Sequence, residues 1–168
     1  MSRKENIRFI ITGALIAAAY AGLTYLSNAF GLAYGPIQLR VSEVLTILPV
    51  FTPAAIPGLT IGCLIANIGS FNVADLLFGT LATLIAAIMT YWLKDIKIKG
   101  LPLFAMAPPV IINAVVIGFE IAVFYLGGKK FLWSFLISAL EVGLGQLIVC
   151  YIFGIPFYLV VKKYKIFK

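Results

Sequence analysis

The chain contains no histidine. Mechanisms that need imidazole as a base or metal ligand are therefore excluded, zinc-protease and histidine-phosphatase chemistry among them. Charge is nearly as scarce. Only 11% of the 168 residues are charged, and six side chains are acidic. A soluble domain carries about a quarter charged residues, so a water-soluble globular fold is excluded for want of polar surface. Cysteine occurs twice, as Cys63 and Cys150. Both lie in apolar runs, which reads as two buried thiols rather than a disulfide framework. No Walker-type phosphate loop is present, so this chain does not hydrolyse ATP itself. An intramembrane aspartyl protease would need two facing aspartates, and Asp95 falls in a lysine-rich turn. No enzyme class, cofactor or metal site is indicated.

What the sequence has is apolar length. It is 62% hydrophobic, with a mean hydropathy of +1.09. Disorder requires the opposite composition, which leaves an integral membrane protein. The apolar runs are continuous rather than alternating, so helices and not barrel strands are expected to span. The first run, from Ile7 to about Phe30, is too long for a signal-peptide core.

A spanning helix needs about 20 apolar residues. The pattern predicts helices over Ile7–Ser27, Val73–Leu93, Leu103–Leu126 and Phe131–Val161. The region from Pro36 to Phe71 reads either as one kinked helix or as two, Gln38–Phe51 and Pro53–Ser70. Pro49, Pro53 and Pro57 crowd the junction, and proline disrupts helix interiors, so two are favoured. Asn72 is placed to cap the helix that follows. Lys94–Gly100 and Gly127–Lys130 are turns, and a bend is expected near Pro108–Pro109. The result is one six-helix transmembrane domain over residues 1–168, all-α.

The basic residues support this count. Six spans put both termini on one side, with Arg3, Lys4, Arg8, Lys94, Lys97, Lys99, Lys162, Lys163, Lys165 and Lys168. Those are ten of the thirteen basic residues; Arg40, Lys129 and Lys130 remain on the other side. Under the positive-inside rule both termini are cytoplasmic. Five spans would split the basic clusters. The net charge of +7 is thereby explained by membrane orientation, without nucleic acid.

Ionisable side chains at membrane depth cost about 2.5–3.5 kcal/mol each on insertion scales. Five are expected there: Arg40, Glu43, Asp75, Glu120 and Glu141, joined by the uncharged Asn67, Asn113 and Gln146. The topology gathers them in the outer half, as a pocket open to the outside would require. Asn113 and Glu120 share a helix face, and Ser134, Ser138, Glu141 and Gly145 form a similar stripe. Arg40 and Glu43 are spaced to pair with each other. Asp75 fits the acidic first-turn position that the helix dipole favours. One cation set against four carboxylates still leaves acid unmatched, and buried carboxylates need a proton or a positive partner. A cationic or N–H-rich ligand would supply it. Phe119, Phe124, Tyr125, Trp133 and Phe135 suit either stacking on a planar ligand or an interfacial aromatic belt.

On the first helix Gly13, Ala17 and Ala21 make one small-residue row, and Ala14, Ala18 and Gly22 an adjacent one. Rows of this kind let another helix approach closely. That face is a candidate contact for a partner subunit.

Three stretches carry a resemblance: QLRVSEVL at 38–45, PAAIPGLTIGCLIAN at 53–67 and DLLFGTLAT at 75–83. Together they resemble the QueT family, substrate-binding S components of energy-coupling factor (ECF) transporters associated with queuosine precursors. The resemblance implies an S-component-like bundle in the cell membrane, joined to a transmembrane T subunit and two cytoplasmic ATPases. S components carry an Ala-x-x-x-Ala element that contacts the T subunit, matched here by Ala14 and Ala18. The implied substrate is a 7-deazaguanine such as preQ1 or queuine. The implied substrate-binding set is Arg40, Glu43, Asn67, Asn113, Glu120 and Glu141. One of the glutamates would accept from the guanine-like edge and a second would pair with the ammonium. Asn67 and Asn113 would meet the carbonyl or the remaining edge.

Overall fold

The computed structural model describes residues 2–33, 39–70, 72–127 and 130–167. Among these the chain is all-helical, with one isolated bridge, Ile98 to Leu101, closing the lysine-rich turn. Six helices follow one another: α1 Arg3–Ala29, α2 Val41–Val50, α3 Ala55–Ile68, α4 Asp75–Trp92, α5 Leu103–Tyr125 and α6 Phe131–Tyr164. Four of them, α1, α4, α5 and α6, are long and apolar enough to cross a membrane; α2 and α3 are shorter. The two-helix reading of the proline-rich region is thus the one observed. The expected α2 start at Gln38, the loop over 28–36 beyond Ala33, and Lys129 lie outside the described residues.

Each helix departs from a plain α-helix where its sequence demands it. The 3₁₀ helix α2 contains Pro49. At about 2.0 Å per residue, its ten residues reach roughly 20 Å, further than α winding would carry them. α5 begins as a 3₁₀ turn over Leu103–Met106 and becomes α-helical at Ala107. Pro108 and Pro109 sit in the first turn of that segment, where a missing N–H costs nothing. The expected proline bend is therefore a change of winding. α4 opens with a π turn over Asp75–Gly79, α5 ends in one over Ile121–Tyr125, and α6 holds one over Ile148–Phe153. The last precedes Pro156, whose absent N–H already breaks the α ladder. Asn72 caps as expected, its Oδ1 accepting from the Ala74 N–H at 2.9 Å.

Connectivity follows from which ends meet. Glu5 and Arg8 of α1 share a groove of about 450 Å³ with Thr52, Pro53, Ile166 and Phe167. Leu93 and Leu101 pack on the cluster of Ile47, Met106 and Tyr158. Both termini, the α2–α3 corner and the α4–α5 turn therefore occupy one end of the bundle, where the lysines gather. Large apolar side chains face outward along the helices, with Ile10 at 68%, Leu15 at 67% and Leu140 at 64% exposure. Such a surface suits lipid and not water.

The two small-residue rows of α1 separate. Gly13, Ala17 and Ala21 are buried against α3. A Cβ on Gly58 would stand 2.7 Å from the Gly13 carbonyl oxygen, and one on Gly62 would stand 2.8 Å from that of Ala17. This row is spent inside the chain, so it is no partner surface. Ala14, Ala18 and Gly22 remain exposed. Gly58→Val and Gly62→Val are expected to destabilise the protein by about 1–3 kcal/mol, read as a lowered melting temperature in detergent. Gly22→Ala, with nothing within 4 Å of its Cβ, should not lower the melting temperature and should raise it slightly through helix propensity.

Candidate functional site

The polar residues of the helices converge at the end opposite the termini. Arg40 precedes α2, Asn67 ends α3, Asp75 opens α4, and Glu120 lies at the end of the α-helical part of α5. All four are buried, as are Glu43 and Asn113. The expectation of an open pocket is revised to this extent: the side chains are enclosed by the helices that carry them.

Asn67 is the hub. Its Oδ1 accepts from Arg40 Nη1 at 3.2 Å, and its Nδ2 donates to the Asp75 carbonyl oxygen at 2.9 Å and to Cys63 Sγ at 3.4 Å. One amide thus joins the segment entering α2, the end of α3 and the start of α4. Its seat is tight, because a Cβ on Gly79 would come within 2.6 Å of Nδ2. Arg40 Nε donates to the Ala33 carbonyl at 2.9 Å. These two neutral acceptors hold the guanidinium on two sides.

Glu43 points from α2 toward α1. Its Oε1 accepts a short hydrogen bond from the Tyr20 hydroxyl, while Oε2 is buried with no hydrogen-bond partner. Gln146 of α6 approaches the same carboxyl. Neighbouring hydroxyls close the wall: Thr24 Oγ1 donates to Ser42 Oγ at 2.7 Å.

Asp75 joins two helices. It stands in the first turn of α4, as expected, and its Oδ1 also accepts from the Tyr125 hydroxyl of α5 at 3.0 Å. Glu120 is the anomaly. It is 1% exposed, and neither carboxyl oxygen has a hydrogen-bond partner among the described residues. Asp75 and Arg40 act on it electrostatically.

The other expected site residues are placed unequally. Asn113 shares the buried face of α5 with Ile117 and Glu120. On α6 the buried stripe runs Ser138, Val142, Gly145 and Gln146, so Glu141 stands half-buried on its flank rather than on the stripe. Phe119, Phe124 and Trp133 are exposed, as an interfacial belt requires, although Phe119 also packs edge-on against Phe131 at 6.0 Å. Ala14 and Ala18 line a groove of about 440 Å³ with Gly58, Ile61 and Ile65. Gln146 was expected among the gathered polar residues and Tyr125 among the aromatics suited to stacking, whereas Tyr20 was not singled out from the sequence. The available signal was for Tyr20, the hydroxyl in line with Gly13 and Ala17 on the packed face of α1. Cys63 and Cys150 are buried free thiols.

Comparison with known proteins agrees with this architecture. A family model described as the QueT transporter matches residues 10–163. The queuosine precursor transporter QueT of Lactococcus lactis subsp. cremoris (strain MG1363) is 41% identical over 83 residues, 49% of this chain and 49% of that protein. The match thus spans about half the length of that relative. No solved structure matches the chain.

Replacing Tyr20 by Phe removes the hydroxyl that donates to Glu43 Oε1 without changing shape. Leaving a buried acceptor unpaired costs about 1–3 kcal/mol. Thermal melting of the detergent-purified Tyr20→Phe protein should fall accordingly, and an unchanged melting temperature would show that the hydroxyl does not anchor Glu43.

Proposed function

The chain belongs to the QueT transporter family, and on that premise we propose that it is the substrate-binding S component of an ECF-type importer for a 7-deazaguanine queuosine precursor, preQ1 or queuine. The observation that carries this reading is Glu120: a carboxyl group in an apolar chain, 1% exposed, with both oxygens lacking a donor. Burying such a group without compensation is costly. A ligand bringing N–H donors and a positive charge removes that cost, and preQ1 brings a guanine-like edge together with an aminomethyl ammonium. Glu43, whose Oε2 is also unpartnered, supplies a second acceptor. Arg40 and Asn67 are suited to the carbonyl side, with Asn113 and Glu141 as further contacts.

Orientation follows from the distribution of charge. The lysine-rich end is cytoplasmic by the positive-inside rule, which turns the acidic cluster outward in a multi-pass protein of the cell membrane. Substrate is captured from outside. Release inside depends on a T subunit and two ATPases that act on the whole S component, since this chain carries no nucleotide-binding loop. Ala14 and Ala18, exposed on α1 beside the groove over α3, are the proposed T-subunit contact.

Mass spectrometry of small molecules extracted from the purified chain tests the substrate class directly. A 7-deazapurine is expected, with a thermal shift on adding preQ1 or queuine. Glu120→Gln should weaken preQ1 binding at least tenfold by calorimetry. Uptake by liposomes containing this chain alone would instead identify a self-sufficient transporter. Replacing Ala14 and Ala18 by tryptophan should abolish assembly with the T subunit in a pull-down while leaving preQ1 affinity intact; loss of both would assign the pair to folding.

A further inference from the structure

The end of the bundle that carries the termini holds a groove that the substrate reading does not use. Its volume is about 450 Å³, and it lies between α1, α2 and the turn that follows α6. At one end its walls are polar, made by Glu5, Arg8 and Thr12 of α1 with Thr52 after α2. At the other they are apolar, with Leu15, Ile16 and Ala19 of α1 beside Leu45 and Leu48 of α2. Ile16, Leu45 and Leu48 are buried, whereas Leu15, at 67% exposure, and Ala19 leave one side open. From Glu5 to Ala19 an α-helix rises about 21 Å. One bilayer leaflet with its headgroups is about 20–22 Å deep.

Both ends of the chain frame the polar mouth. Lys165 closes α6 in a left-handed conformation, with φ 51°. The chain turns there, and Phe167 stacks on Phe51 with ring centroids 6.3 Å apart, which sets Ile166 and Phe167 against the groove. Exposed Arg3, Lys4 and Arg8 of α1 are thereby brought to the same end as exposed Lys163 and Lys165. The acid that lines the groove is Glu5, whose Oε2 accepts from the Ser2 N–H at 2.6 Å.

We propose that this groove holds one anionic phospholipid of the cytoplasmic leaflet. Its acyl chain lies along Leu15, Ile16 and Ala19, and its phosphate meets Arg8 and the neighbouring lysines. The occupant follows from the two ends of the groove taken together. An apolar trough alone suits any acyl chain, and a basic rim alone suits any anion; an anionic amphiphile satisfies both. Guanidinium and phosphate form a strong charge-assisted pair, and basic clusters on the cytoplasmic side of membrane helices attract anionic lipid. The inference uses the cytoplasmic orientation of the lysine-rich end and is independent of the substrate. It also leaves the proposed T-subunit contact free. Ala14 and Ala18 line the other groove, beside α3, and Phe9 borders both. A lipid in this position braces α1 against α2, the two helices that Tyr20 and Glu43 join.

Native mass spectrometry of the full purified chain in neutral detergent tests the proposal, by titration with phosphatidylglycerol and phosphatidylcholine of the same acyl chains. One phosphatidylglycerol should stay bound, preferred over phosphatidylcholine by about fivefold or more, and it should raise the melting temperature. The double variant Arg8→Gln, Lys165→Gln should lose the preference. Ala19→Phe, which fills the apolar end, should lose retention of both lipids. Each variant should melt like the unaltered chain in lipid-free detergent. Equal retention of the two lipids by the unaltered chain overturns the proposal, as does a preference that survives Arg8→Gln, Lys165→Gln. Glycerol phosphate, a headgroup without chains, should give no thermal shift; an equal shift would mark a plain anion site and overturn it too. A second measurement needs no variant. A photoactivatable phosphatidylglycerol in liposomes with the chain should label α1 between Arg8 and Ala19. Uniform labelling around the bundle overturns the proposal, and so does loss of the label on adding the T subunit, which would make the groove a protein interface. Affinity for preQ1 decides the substrate reading separately.

Discussion

The side-chain amide of Asn67 holds the far end of this bundle together. A lipid-facing protein has no water to satisfy backbone groups that leave the helical ladder. Where α3 stops and α4 starts, such groups are unavoidable. Asn67 meets the Asp75 carbonyl with one side of its amide and Arg40 with the other. The two short helices, α2 and α3, are thereby tied to the end of the long helix α4. Every acidic group of the candidate site is positioned relative to that knot.

At the other end of the scale, backbone-to-backbone contact decides how the helices cross. Gly58 and Gly62 bring α3 against α1 at Gly13 and Ala17, and Tyr20, one turn along, inherits a position from which its hydroxyl reaches Glu43. Small residues on α1 therefore have two uses. The inner row sets the depth at which Tyr20 and Thr24 meet α2, while the outer row leaves a shallow, apolar surface beside the α1–α3 groove.

Much of this was legible in the sequence, because apolar length, proline and lysine placement act locally. The six helices, the Asn72 cap and the burial of Arg40, Glu43, Asn67, Asp75, Asn113 and Glu120 all follow from helix spacing and alternation of direction. What was not legible depends on winding. A π turn adds a residue without advancing the axis in the α manner, so positions after it no longer obey simple 3.6-residue arithmetic. Tyr125, reached through the π turn that ends α5, is turned toward Asp75 for this reason. Glu141 failed the stripe assigned to it because Ser138, Val142, Gly145 and Gln146 define the buried face of α6. Asp75 stands in the first turn of its helix as the sequence indicates, but its hydrogen bond from Tyr125 comes from another helix and has no signature in local spacing.

The π turn over Ile121–Tyr125 also has a bearing on how such chains diverge. One residue fewer in the α-helical part of α5, with the π turn kept, rotates everything after it by about 100° about the axis. Tyr125 would then leave Asp75, and the aromatic face that Phe124 presents to Phe78 would turn with it. Point substitutions here alter one contact each, whereas a single-codon deletion re-aims the whole end of the helix. Length, rather than composition, is the conserved quantity to look for at this position among relatives that keep the same site.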